Sequence, residues 1–163
     1  MDSRETNPEY LIRELLHRTC IGATAQPETG GDLLLHFGDW QSYEPLANPR
    51  LQVTERGKWS LMLSSPWRLD GPNGVVCDWR SVANPQKESD ELHLAFEGLR
   101  VEGITVMKPA NDLDVAMSRG HRLRVLCDSD GSSDDCWFVL RPDASSIAAT
   151  HDFRLTYEPP RLK

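Results

Sequence analysis

The chain reads as mainly β (α+β): two similar antiparallel β units forming a pseudo-twofold sandwich or split barrel, with an N-terminal helix. Three observations predict this. Apolar residues recur with a period of two over most of the chain, as in "LDVAMS" (113–118) and "RLRVLC" (122–127), which is strand periodicity. Turn-forming clusters such as "ETGG", "GPNG", "KPAND" and "SRGH" punctuate those runs at short intervals. "IGATAQPETGGDLLLHFG" (21–38) can also be laid over "EGITVMKPANDLDVAMS" (102–118) with one gap. Gly22 then meets Gly103, Pro27 meets Pro109 and "DLLLHF" meets "DLDVAM", about 80 residues apart. Each unit alone leaves an open apolar face, and packing the two together buries both.

The first element is a helix. In "TNPEYLIRELLHR", Asn7 is suited to the N-cap, Pro8 to the first helical position and Glu9 to the positive end of the helix dipole. Leu11, Ile12, Leu15 and Leu16 give it one apolar face, and the pattern runs to His17–Arg18. "DLLLHFG" (32–38) follows as a strand after the turn "ETGG". "LQVTERGKWSLMLSSPWRLDG" reads as two strands around a turn at Glu55–Lys58, and Val75 to Cys77 as a strand after Pro72-Asn73-Gly74. "ANPQKESDE" is polar and proline-bearing, a loop over 83–91. The expected organisation is one domain, 1–163, with repeat halves 15–82 and 92–158 joined by that loop. In the second half "GLRVEGITVM", "LDVAMS", "RLRVLC" and "CWFVL" read as strands, and "HDFRLTYEP" (151–159) as a last edge strand. Leu123, Val125 and Cys127 fall on one face of their strand, with Arg122 and Arg124 on the other.

Composition narrows the functional classes. The formal net charge is −7, with 18 Lys and Arg against 25 Asp and Glu. Phosphate recognition needs clustered cations, and no such cluster stands out, so nucleic acid is not an expected partner. An acidic surface fits a basic protein partner better, or serves solubility alone. No run of 18 apolar residues occurs, and the polar start "MDSRETNPEY" has no apolar signal segment, so a cytoplasmic location without membrane association is expected. Cys20, Cys77, Cys127 and Cys136 would there be reduced thiols.

The chemistry-bearing stretch is "CDSDGSSDDC" (127–136). Counted from Asp128, an EF-hand would need glycine at the sixth position and glutamate at the twelfth. The glycine falls at the fourth and the twelfth is Val139. A structural zinc site needs two close ligand pairs, and Cys127 and Cys136 are too far apart in sequence to form one. A disulfide across the mouth of a hairpin is geometrically easier. The reading retained is strand, polar loop, strand, with the aspartates as solvated turn residues. No metal or cofactor is expected. Sequence signatures of zinc proteases, serine hydrolases and P-loop enzymes are absent, and the five histidines are scattered. His36, between Leu35 and Phe37, reads as structural.

Trp59, Trp67 and Trp137 lie within strand patterns and read as core, each burying on the order of 200 Å². Trp40, Tyr43 and Trp79 stand beside loops and are the candidate surface anchors, since interface hot spots favour such side chains. Asp128, Asp130, Asp134 and Asp135 are the candidate electrostatic contacts with a partner.

The order of "DLLLHFG", "GKWSLMLSSPWRLDG", "FEGLRVEGITV", "DLDVAMSRGHRLRVLCD" and "WFVL", with Trp67-Arg68-Leu69 near the middle, resembles small bacterial two-unit β proteins. Some of these are immunity proteins of bacterial toxin systems. The resemblance covers roughly residues 15 to 141 and carries over no functional residue. It implies a non-catalytic protein-binding module that inhibits a partner by occlusion. The alternatives are a small-ligand binder using the cleft between the halves, or an enzyme without a recognisable motif.

Overall fold

The computed structural model describes residues 6–26, 32–42, 55–83, 89–128 and 134–160. Its elements in chain order are α1 (Pro8–Leu11), a 3-10 helix (Ile12–Leu15), β1 (Cys20–Gln26), β2 (Asp32–Ser42), β3 (Glu55–Leu63), β4 (Trp67–Gly71) and β5 (Gly74–Asp78). A second 3-10 helix (Trp79–Ala83) and α2 (Ser89–Phe96) follow. Then come β6 (Val101–Met107), β7 (Asp112–Met117), β8 (His121–Val125), β9 (Asp135–Leu140), β10 (Ser146–Thr150) and β11 (Leu155–Glu158). The strands form two antiparallel sheets, one ordered β1-β2-β3-β9-β10-β11 and the other β5-β4-β8-β7-β6.

One apolar core lies between the sheets. Leu33, Leu35, Phe37, Leu61, Leu63, Trp137, Val139 and Ile147 enter it from the six-stranded sheet, and Trp67, Leu69, Val101, Leu113, Val115, Met117, Leu123 and Val125 from the five-stranded one. Leu11, Leu15, Leu92 and Phe96 add the buried faces of the helices. Trp59, Trp67 and Trp137 are all core, as their strand positions predict. The far face of the six-stranded sheet is also buried, by Leu34, Met62, Phe138, Leu140 and Ala148. That is why β2, β3 and β9 carry continuous apolar runs. The far face of the five-stranded sheet is polar. There Arg122 pairs with Asp114 and Arg68 with Asp70, so β7 and β8 alternate cleanly.

The two halves match in register. In β1–β2, Cys20 faces Phe37 and Gly22 faces His36, with a bulge between Cys20 and Gly22. In β6–β7, Val101 faces Met117 and Gly103 faces Ala116, with the same bulge between Val101 and Gly103. The pseudo-twofold axis passes through an isolated antiparallel bridge between Thr19 and Arg100. Around it the hydrogen bonds come in symmetric pairs. His17 N–H donates to Val101 C=O and Gly98 N–H to Cys20 C=O, while Cys20 N–H donates to Leu99 C=O and Val101 N–H to Arg18 C=O. The halves also exchange strands: β4–β5 add to the sheet of β6–β7–β8, and β9–β10–β11 to the sheet of β1–β2–β3. Trp67 sits opposite Val125 as Trp137 sits opposite Leu63, so the two tryptophans occupy equivalent places.

Several local expectations change. The first helix is capped as expected, with the Asn7 side chain accepting from Glu9 N–H at 3.0 Å and Pro8 opening it. It tightens to 3-10 at Ile12 and stops at Leu15. The next residues are taken by the bridge to the second half, with His17 at φ 65°. Glu55–Lys58 is not a turn but the start of β3, and the chain leaves that strand for the other sheet at Ser64–Pro66. The expected loop 83–91 is helical at its end, since α2 begins at Ser89. β10 forms in "SIAAT", a segment without strand alternation in its sequence.

Candidate interaction surface

Two regions carry the candidate contact residues, and the structure sets them apart. The first is built around Trp40. A bulge in β2 between Phe37 and Trp40, with Gly38 at φ 78°, aims the indole at His36, ring centroids 4.7 Å apart and tilted by 46°. β1 supplies Gly22 beside it. A Cβ there would stand 2.4 Å from His93 Cε1 and 3.3 Å from Trp40 Cζ2, so any larger residue would displace the His93 ring from this contact between β1 and α2. Trp40 is 49% exposed and Trp79 51%. Trp79 opens the second 3-10 helix, which packs on β2, while α2 packs on β1 and β5. Leu94, on α2, is 69% exposed, and Asp90, Glu91 and Glu97 lie within a turn of it. Asp39 is exposed next to Trp40. These neighbouring elements thus expose Trp40, Trp79 and Leu94 together with four acidic residues and the basic Arg80.

Beneath Trp40 lies His36, fully buried. Gly57 N–H donates to its Nδ1 at 3.1 Å, so its proton sits on Nε2, which donates to Thr24 Oγ1 at 2.9 Å. Burial, then the nearby Arg56 and His93, pull its pKa down to about 4. Both ring nitrogens are engaged and the neutral tautomer is fixed. This is a structural histidine that supports the indole above it.

The second region is the mouth of the β8–β9 connection. "CDSDGSSDDC" is not a hairpin, because β8 and β9 belong to different sheets and the connection crosses between them. Asp128 and Asp134 are exposed there, while Asp135 is half-buried at the start of β9. His151 lies against both ends of the connection, its N–H donating to Asp134 C=O and its Nδ1 contacting Asp128 C=O. Asp130 and Tyr43 lie outside the described residues.

Cys136 is next to Trp137, which faces Leu63 on β3, whereas Trp40 faces Gly57 on the same strand. Six residues of strand separate those two levels, roughly 20 Å. The aspartate mouth and Trp40 thus lie at opposite ends of the six-stranded sheet, not on one patch. The alternation of Trp, Tyr and Asp in sequence carries no signal for this separation, which follows from strand register.

Among the described residues, no group of three or more His, Cys, Asp or Glu is placed to hold a metal ion, and no helix is long and apolar enough to cross a membrane. No protein-family model, curated protein or solved structure matches the chain.

Proposed function

We propose that this chain is a non-catalytic protein-binding module of the immunity type, acting in the cytoplasm by covering a partner's working surface. The observation that carries the reading is the pair of half-exposed tryptophans, Trp40 and Trp79, on elements that pack together. A large aromatic exposed over a fixed support costs little entropy to immobilise, and such side chains dominate interface energetics. The acidic residues Asp39, Asp90, Glu91 and Glu97, on a chain of net charge −7, select a basic protein as partner. Asp128 and Asp134, at the other end of the sheet, contribute to long-range steering and not to the contact itself. The space between the halves is filled by Phe37, Trp67, Phe96 and Trp137, which supports this reading over a ligand cleft.

The test is capture from the native host with three baits: the wild-type chain, Trp40→Ala/Trp79→Ala, and Asp128→Lys/Asp134→Lys. A basic partner held by the wild type should be lost with the aromatic variant, at about 30-fold in affinity per tryptophan. The charge variant should keep the partner and lose association rate at low salt. A partner held equally by the aromatic variant, or no specific partner at all, refutes the proposal.

A further inference from the structure

Among the described elements the chain changes sheet twice, once at Ser64–Pro66 and once between Val125 and Asp135. The two crossings are pseudo-twofold mates. Ser64 N–H donates to Cys136 C=O at 2.9 Å, and Leu126 N–H donates to Pro66 C=O at 2.9 Å. Together with the strand registers, this matches Leu126 to Ser64, Cys127 to Ser65 and Cys136 to Pro66. Ser65 and Pro66 are consecutive, joined by a peptide bond that sets their Cα atoms about 3.8 Å apart. Their counterparts, Cys127 and Cys136, are separated by the segment "DSDGSSDD" and yet return to the same juncture. Both are buried, and their thiols are close enough to perturb one another's ionisation. Each is held in place. Cys127 Sγ donates to Asn111 C=O at 3.2 Å and Cys127 N–H to Asp112 Oδ1 at 2.7 Å, while Cys136 C=O accepts from both Ser64 and Ser65.

We propose that Cys127 and Cys136 are a redox-modification site: a dithiol that hydroperoxides convert to a reversible disulfide, closing the second crossing covalently where the first is closed by a peptide bond. Disulfides need Cα atoms about 4.4–6.8 Å apart, a small step from the peptide-bonded spacing of the matched pair. Nothing in the architecture demands the second thiol, since proline serves at the equivalent position. Cys136 is the thiol that ionises first: its neighbours Cys127, Ser65 and His151 lower its pKa, while the S–H of Cys127 is held by Asn111 C=O. The Cys136 thiolate attacks one peroxide oxygen, the O–O bond breaks, and sulfenic acid and hydroxide form. Cys127 then attacks the sulfenic sulfur, the S–S bond forms and the S–O bond breaks. The protons of the two thiols leave in water, so two thiols and one hydrogen peroxide give one disulfide and two waters. Cys20 and Cys77 stand outside this chemistry, both held protonated by burial, with pKa values pushed up to about 12.

The experiment uses the reduced full-length protein and hydrogen peroxide, followed by unfolding, alkylation of remaining thiols and tryptic digestion. Residues 125–154 form one tryptic peptide holding both cysteines, because trypsin does not cut between Arg141 and Pro142. It should lose about 2 Da and escape alkylation, with recovery on dithiothreitol treatment. Cys20 and Cys77 should remain fully alkylated, and the thermal midpoint should rise by roughly 5–10 °C. In Cys127→Ser, a 1,3-dione probe should trap Cys136 as the sulfenic acid. Alkylation of both cysteines after treatment, sulfinic or sulfonic acid on Cys136 in the wild type, or a bridge to Cys77 overturns the proposal. The wild-type readout stands whether or not the variant folds.

Discussion

Trp67 and Trp137 occupy equivalent positions in the two halves, yet replacing each with Phe should have different costs. Both are buried, at 2% and 0% exposure. Trp137 Nε1–H donates to Asn111 C=O at 2.9 Å, whereas Trp67 Nε1–H is buried without a partner among the described residues. Trimming an indole to a phenyl ring removes roughly 40 Å³, and at about 24 cal/mol per Å³ of cavity this costs about 1 kcal/mol at either site. Trp137→Phe additionally loses a hydrogen bond, for a total of about 2 kcal/mol. Trp67→Phe instead removes an unsatisfied donor whose burial costs about 1–3 kcal/mol, so its net effect should be near zero or stabilising. Urea unfolding of the two variants, with unchanged slope, should give a gap of about 2 kcal/mol, or about 4–8 °C in thermal midpoint. Equal destabilisation, or a larger loss from Trp67→Phe, refutes the reasoning.

Three further outcomes follow from the same geometry. Glu14 accepts from Arg141 Nη2 at 2.8 Å and Nε at 3.1 Å and from Trp59 Nε1 at 3.4 Å, tying the first helix to the end of β9. Glu14→Ala should therefore cost about 1–2 kcal/mol in urea unfolding, discounted because the carboxylate is a third exposed, and a smaller loss than about 0.5 kcal/mol counts against this tie. His36, with a folded pKa of about 4, binds fewer protons than its unfolded form between pH 4 and about 6.5. Stability should accordingly rise with pH across that window and be lost as pH falls through it, by on the order of 3 kcal/mol. His36→Gln should flatten that slope, and an unchanged slope would exclude His36 as its source. At Gly57 a Cβ would lie 2.6 Å from the Phe37 backbone nitrogen, so the strands must separate. Gly57→Ala should destabilise by about 3 kcal/mol, more than Gly103→Ala, where the nearest atom is Ala116 Cβ at 3.5 Å.

Where one face of a strand meets water, the sequence displays the structure. β7 and β8 were legible because their solvated faces carry Asp114, Arg122 and Arg124 between core residues. The capped first helix and the three core tryptophans were legible for similarly local reasons. Where both faces are covered the signal fades. β10 is buried on both sides, so no alternation marks "SIAAT" as a strand, while β3 opens on polar residues, Glu55 exposed and Lys58 half-buried, that resemble a turn. α2 is obscured in the sequence by its polar start, where Asp90 and Glu91 face solvent and resemble a linker.

The sequence by itself determined the β character, the capped first helix and the matching of "DLLLHF" with "DLDVAM", because propensity, capping and side-chain alternation act over a few residues. Only the tertiary structure decided that the halves exchange strands, that Trp40 and the aspartate mouth stand at opposite ends of a sheet, and that Cys127 meets Cys136 at a crossing between sheets. Those facts depend on which strands pair. Pairing is settled by the burial of whole faces against one another, a sum over residues far apart in the chain that no short stretch contains.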